Sequence, residues 1–317
     1  MLFNLNLNYL NLTTSFFMLK HRLISASVII TSLVLIVMFS RGWTNIFLPT
    51  AVSFIASIGL LEFYYLMEQK GYQPLRKWGV AFSIVYIFVI YFVSLKNFLQ
   101  IEDLALMPIY LAILTATIII VARQKIDTAL STLAASLAGF IYVSWLLAFV
   151  MRIILWRGAE QMDGRFFFLF FVVVVKSTDT GAYFYGTWFG KHKLAPKISP
   201  KKTIEGFIGG VVFAAILGAI LALTLSSVHP MFVKLSEVLF KSSNAFFVAG
   251  LGVAIGGALS ILGQFGDLAE SIWKRDAKVK DSGSYIPGMG GVLDVIDSLL
   301  FSAPAMYLFM KILEKVI

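Results

Sequence analysis

Long apolar runs alternate with short polar breaks along the chain, and nine of the runs reach the roughly 17 to 25 residues that cross a bilayer as a helix. They predict spans over Leu23–Phe39, Phe47–Leu66, Trp78–Leu95, Leu104–Ala122, Ala129–Val150, Phe166–Trp188, Phe207–Leu225, Ala245–Gly263 and Val292–Lys311. Lipid offers no hydrogen bonds, so each span must satisfy its own backbone, and the expected fold is an all-α polytopic helical bundle. Trp43, Trp78, Trp145 and Trp156 fall near span ends, where aromatic anchors sit. Lysine and arginine are uneven between the two faces: sixteen fall on the face that carries the N-terminus and nine on the other. The positive-inside rule therefore predicts a cytoplasmic N-terminus and, with nine spans, an external C-terminus.

Composition narrows the class. Hydrophobic residues make up 59% of the 317 positions, against about 45–50% for soluble domains, and the mean hydropathy is +0.87. This is the composition of an integral membrane protein. There is no cysteine, which excludes disulfides and cysteine zinc sites. The net charge of +9 suits anionic membrane lipid as a partner rather than nucleic acid, because the bases lie in short loops between spans. Residues 1–17 are asparagine-rich and lack the positive start of a signal peptide. They are expected to be a non-native or disordered extension, with Met18 as a second start and residues 18–317 as one membrane domain.

Chemistry is concentrated in two stretches between Lys176 and Ser298. The longer one reads SILGQFGDLAESIWKRDAKVKDSGSYIPGMGGVLDVIDS, Ser260 to Ser298. Asp267, Glu270 and Ser271 share one face of a helix, and Lys274 and Lys278 continue it. A glycine-containing turn follows, with Gly290 and Gly291 at its end, and Asp294 and Asp297 then stand one turn apart at the mouth of an apolar run. Carboxylates there are costly without a partner or a function. Carboxylates flanking a glycine hinge suit Mg²⁺, which prefers a few carboxylates together with phosphate oxygens and water. The plainer alternative for Lys274, Arg275, Asp276, Lys278, Lys280 and Asp281 is a solvated loop.

In the shorter stretch, Lys176 and Asp179 stand at i, i+3 inside a span and can neutralise each other. Five lysines then crowd Phe189 to Gly206, and Ser199-Pro200-Lys201-Lys202-Thr203 reads as a phosphate-binding loop before Glu205. Taken alone, these lysines would merely obey the positive-inside rule. Glu62, near the end of the second span, reads as a snorkelling or locally paired carboxylate.

The longer stretch resembles the signature of the phosphatidate cytidylyltransferases, the CDP-diacylglycerol synthases. The resemblance rests on Ser260, Gly266-Asp267-Leu268, Glu270-Ser271, Lys274-Arg275, Lys280-Asp281, Pro287-Gly288, Gly290-Gly291, Asp294 and Asp297-Ser298. Two positions depart: Met289 replaces a family histidine and Val295 a family arginine. The runs DTGAYFYG and SPKKTIEG resemble a second block of the same family, so the likeness covers about Lys176 to Ser298. It implies transfer of CMP from CTP to phosphatidate, with release of pyrophosphate, in a bacterial inner membrane with the site facing the cytoplasm. It also implies a Mg²⁺-dependent reaction with two cation sites, and a homodimer.

Under that resemblance Asp267 and Asp294 are expected as principal metal ligands, with Asp297, Glu270 and Ser271 completing the set. Lys201, Lys202, Lys274 and Arg275 are expected on CTP and the leaving pyrophosphate. Lys176, Asp179, Gly290 and Gly291 line the substrate site. The rivals are a cation-coupled transporter using Lys176, Asp179, Asp294 and Asp297, for which no inverted repeat is found, and a CTP-dependent lipid kinase. A phosphatidyltransferase would need a DGxxAR pattern that is absent.

Overall fold

The structure, a computed structural model, describes residues 46–96, 107–124, 126–157, 163–227, 231–287 and 290–316. The expected span Leu23–Phe39 and the extension 1–17 lie outside them. The chain is an all-α membrane protein: among the described residues seven helices are long and apolar enough to cross a bilayer. In chain order these and their shorter companions are α1 (Phe47–Gln69), α2 (Arg76–Lys96), α3 (Met107–Arg123), α4 (Ala129–Leu155), α5 (Gly164–Phe189), α6 (Ile204–Ser226), α7 (Met231–Phe240), α8 (Ala245–Asp276) and α9 (Val292–Val316). Helix α3 is apolar over its 17 residues, and the start of the span expected there, Leu104, lies outside the described residues. Helix α4 carries one π-helical segment, Phe140–Trp145, in the middle of its length.

Two departures from the expected layout bear on the site. Hydropathy placed the end of the eighth span at Gly263, yet α8 runs on to Asp276. The polar residues of its last turns find partners, Asp267 in Lys202, Glu270 in Lys274 and Asp276 in Lys70, so the helix continues after its lipid-facing character ends. The lysine-rich stretch expected as a loop contains a two-stranded antiparallel hairpin, β1 (Lys193–Ala195) with β2 (Ser199–Thr203). Thr203 then caps α6, its hydroxyl accepting from the Gly206 N–H at 3.1 Å. Glu205, in the first turn, accepts from the backbone N–H groups of Lys191 (3.0 Å) and His192 (3.2 Å), which ties the hairpin back to the helix.

The buried core collects aromatic and aliphatic side chains from every long helix, with Phe167, Phe168, Phe170 and Phe171 of α5 almost fully enclosed. Helices α6 and α8 meet along small residues, Gly218 against Gly252 and Ala214 against Gly256, as membrane helices do when backbones must approach closely. The hairpin, the C-terminal end of α8 and the N-terminal end of α9 lie together at one end of the bundle. An ion pair from Lys70, just after α1, to Asp276 at 2.8 Å joins them there.

Candidate active site

Two neighbouring helix ends build the site. The first four N–H groups of a helix have no partner within it, and at α9 two carboxylates take them. Glu62 of α1 accepts from Val292 N (2.9 Å) and Leu293 N (2.7 Å). Asp294 Oδ2 accepts from Gly291 N (2.8 Å), Ser282 N (3.0 Å) and Ser282 Oγ (2.8 Å). Ser282 Oγ also lies 3.2 Å from Glu62 Oε2. The glycine turn is therefore held by a cap from its own helix and a second cap brought from 230 residues away in sequence. Gly290 sits at φ +93°, a conformation that side chains disfavour, and exchanges two backbone hydrogen bonds with Ile286.

Glu62 was expected to snorkel or pair locally. It is 3% exposed and pairs instead across the whole chain, because α1 packs beside α9 and presents the carboxylate to the helix N-terminus, where negative charge is favoured. The sequence signal was an acid inside an apolar run; what it could not reveal was which helix end the acid faces.

On α8, Lys274 donates to Glu270 Oε2 (2.8 Å) and to Asp294 Oδ1 (2.5 Å). It is a buried cation between two carboxylates and so bridges α8 to α9. One turn further along α9 the surroundings change. Asp267, Glu270 and Asp297 each offer an oxygen, and the three lie within 4.8 Å of one another. Gly266 permits this approach: a Cβ there would stand 2.6 Å from the Asp297 carbonyl oxygen. Glu270 is fully buried, and its Oε1 has no hydrogen-bond partner. Asp297 is 5% exposed and accepts only from its neighbour Ser298 N among the described residues. Ser271 Oγ lies 3.5 Å from Asp267 Oδ1. Three crowded acids with an orphaned buried oxygen match the donor set of a hard divalent cation.

The hairpin closes over this cluster. Lys202 pairs with Asp267, whereas Lys201, the next residue on β2, is exposed. Adjacent strand residues point to opposite faces, so only one of the two lysines reaches the acids. Arg275 donates through Nε to the Ile198 carbonyl (3.2 Å), fastening the end of α8 to the hairpin turn. Lys176 makes no ion pair with Asp179 among the described residues, contrary to expectation. Its ammonium donates to Val295 O (2.6 Å) and Ser298 Oγ (3.0 Å) of α9, a buried direction that the long side chain reaches, and Asp179 is exposed. Gly290 and Gly291 lie in the turn beside Asp294. Met289 lies outside the described residues.

Comparison with known proteins decides the family. A sequence profile described as Cytidylyltransferase family matches residues 20–313. The chain belongs to this family. The phosphatidate cytidylyltransferase of Bacillus subtilis (strain 168) is 31% identical over 263 residues, 81% of this chain and 87% of the relative. That of Chlamydia pneumoniae is 28% identical over 308 residues, 94% of this chain and 93% of the relative. The phosphatidate cytidylyltransferase of Staphylococcus haemolyticus (strain JCSC1435) is 44% identical over 146 residues, 46% of this chain. In this cytidylyltransferase, then, the acids and lysines of two sequence blocks converge on one end of the bundle.

Proposed function

We propose that the chain is a phosphatidate cytidylyltransferase, forming CDP-diacylglycerol and pyrophosphate from phosphatidate and CTP. A phosphate oxygen of phosphatidate forms a bond to the α-phosphorus of CTP, and the bond from that phosphorus to the β-phosphate oxygen breaks to release pyrophosphate. Phosphatidate is already largely ionised near neutral pH, so no side chain need remove a proton. The difficulty is charge: two anions must meet and a third must leave. The observation that carries the reading is the crowded set Asp267, Glu270 and Asp297 beneath the lysine hairpin.

In this account Asp267, Glu270 and Asp297 would hold Mg²⁺, with Ser271 orienting Asp267. Bound there, the cation would neutralise phosphate charge and help align attack with departure. A second cation would need donors that these three do not supply. Lys202 is released from Asp267 to meet phosphate, and Lys201 and Arg275 extend the cationic surface on the hairpin side. Lys274 is committed to Glu270 and Asp294, so its work is to fix the carboxylates rather than to grip CTP. Asp294 anchors the turn that carries Gly290 and Gly291.

Acyl tails remain in the bilayer while the head group meets a soluble nucleotide, which accounts for a charged site at the end of apolar helices. We assign nine spans, a single membrane domain over residues 18–317 with its catalytic region in 176–298, a cytoplasmic N-terminus and a cytoplasmic site. The support is the lysine-rich hairpin and the Lys278–Lys280 segment at the site end. A homodimer rests on family resemblance. Because the chain has no cysteine, a single cysteine at Lys278 labelled by an impermeant maleimide only in inside-out vesicles would support the orientation, and labelling only in right-side-out vesicles would reverse it. The activity is tested by incubating purified protein with phosphatidate, CTP and Mg²⁺. CDP-diacylglycerol and pyrophosphate are expected; their absence, or formation of CDP with a further phosphorylated lipid, would refute the assignment.

A further inference from the structure

A second concentration of unsatisfied polar groups lies far from the carboxylates. Arg152, on the last turn of α4, is 6% exposed, and its Nε has no hydrogen-bond partner. Its guanidinium lies over the rings of Phe149 (5.2 Å) and Tyr307 (5.9 Å). Tyr307 follows Asp297 by ten residues of α9, about 15 Å of helix, towards the opposite end of the bundle. Tyr86 of α2, 4% exposed, has a hydroxyl that is likewise without a partner. Both side chains line a single cavity of about 160 Å³ between α2, α3 and α4.

Apart from Ser94, the rest of that lining is apolar. Val85, Val89 and Leu111 line it and are exposed at the bundle surface, so in a bilayer the cavity opens sideways onto lipid tails. Charged side chains within a span ordinarily pair with another charge or face a watery space. Arg152 makes no ion pair with any carboxylate among the described residues, and its surroundings are aromatic and aliphatic. The aromatic faces attract the cation but leave its in-plane N–H groups free to donate. A guanidinium and a phenol can both donate to one anion, while the apolar walls accept an alkyl chain. The volume is too small for a whole diacyl lipid, so only a head group or the start of one chain enters.

We infer that the cavity between α2, α3 and α4 binds the anionic head of a membrane amphiphile, a phosphate or carboxylate on an alkyl chain, through Arg152 and Tyr86. This site is separate from the cytidylyl-transfer site and does not depend on that reading. Lying towards the other end of the bundle, it draws its ligand from the opposite leaflet. An occupant there would join α2, α4 and the far half of α9, and so brace the helix whose first turns carry Asp294 and Asp297.

The test is native mass spectrometry of the full chain in detergent, titrated separately with phosphatidylglycerol, oleate, an alkyl phosphate and zwitterionic phosphatidylcholine; phosphatidate is left out because the catalytic site would hold it. Wild type should retain one anionic amphiphile at least tenfold more tightly than Arg152→Met does, with phosphatidylcholine retained equally weakly by both. Tyr86→Phe, which keeps the ring and its packing, should weaken retention about threefold. Arg152→Lys, which keeps the charge, should bind better than Arg152→Met. Whichever anionic probe is held best identifies the head group. Equal retention by wild type and both Arg152 variants, as expected if a carboxylate of this chain neutralises the arginine, overturns the proposal. So does wild-type retention of phosphatidylcholine as tight as that of the anionic lipids. Should Arg152→Met fail to fold, the Tyr86→Phe and Arg152→Lys titrations decide alone.

Discussion

Asp294 and Asp297 stand one turn apart on α9, in opposite surroundings. Asp294 is supplied with donors on every side: the Lys274 ammonium, the Ser282 hydroxyl and two backbone N–H groups. Asp297 faces two further acids, and among the described residues only its own neighbour donates to it. The first arrangement is complete within the protein. The second is only partly balanced, by Lys202 on Asp267 and Lys274 on Glu270, and leaves Asp297 and the Glu270 Oε1 oxygen turned towards one another's charge without a cation of their own among the described residues. Chemical identity and spacing would have given the two aspartates one role, and their neighbours give them two.

The comparison is broken most severely by removing the acids themselves. Asp267→Asn or Asp297→Asn should lower cytidylyl transfer at saturating Mg²⁺ by at least about a hundredfold, equivalent to about 2.7 kcal/mol of barrier. Without divalent cations Asp297→Asn, which breaks no ion pair among the described residues, should melt roughly 2 to 4 °C higher than wild type, since one repelling charge is gone, a gain of about 1 kcal/mol. Asp294→Asn should do the reverse to stability. It leaves Lys274 short of a partner in a buried pair, a loss of about 3 kcal/mol or more, read as a lower melting temperature in detergent. If both substitutions shift melting in the same direction, the division of roles fails.

Next in size is the remote cap. Glu62→Gln keeps an acceptor for one N–H of α9 and should cost about 1 to 3 kcal/mol of stability. It should lower kcat more than it raises the KM for CTP, because it loosens the turn behind the acids without touching nucleotide. Glu62→Ala should be worse in both respects. A change confined to the KM for CTP would place Glu62 at the nucleotide instead.

Smaller still is the contrast within β2. Lys202→Ala should raise the KM for CTP about tenfold and Lys201→Ala about threefold or less, because only Lys202 reaches the acids. Equal effects would mean that the hairpin turns over on binding. The smallest effect is expected from restoring the family residues. Met289→His with Val295→Arg should alter the rate by at most about tenfold, equivalent to about 1.4 kcal/mol. Val295 contributes its carbonyl to Lys176, a contact that survives any side chain.

The sequence made the helices legible where hydropathy and helicity coincide. The apolar runs of α1, α5 and α6 predict those elements to within a few residues, because lipid forces the backbone into a helix wherever the side chains are apolar. Where helicity outlasts hydropathy the prediction stops short, as at α8, whose polar turns are held by Lys202 and Asp294, residues distant in sequence. The hairpin could not be read from a lysine-rich run of mixed propensity. For the site, the motif spacing singled out Asp267, Glu270, Asp294 and Asp297, but the grouping of Asp267 and Glu270 with Asp297 rather than Asp294 follows from the register between α8 and α9. Glu62 was visible as a buried acid; its partner was a backbone terminus, which leaves no residue-level signal.

The most direct test of the divided roles is divalent-cation binding by the purified chain without substrate, followed by Mn²⁺ electron paramagnetic resonance. The account predicts that wild type binds Mn²⁺, that Asp297→Asn weakens binding by at least about a hundredfold, and that Asp294→Asn, which leaves Asp267, Glu270 and Asp297 in place, stays within about tenfold of wild type. Loss of Mn²⁺ on Asp294→Asn with retention on Asp297→Asn would contradict it.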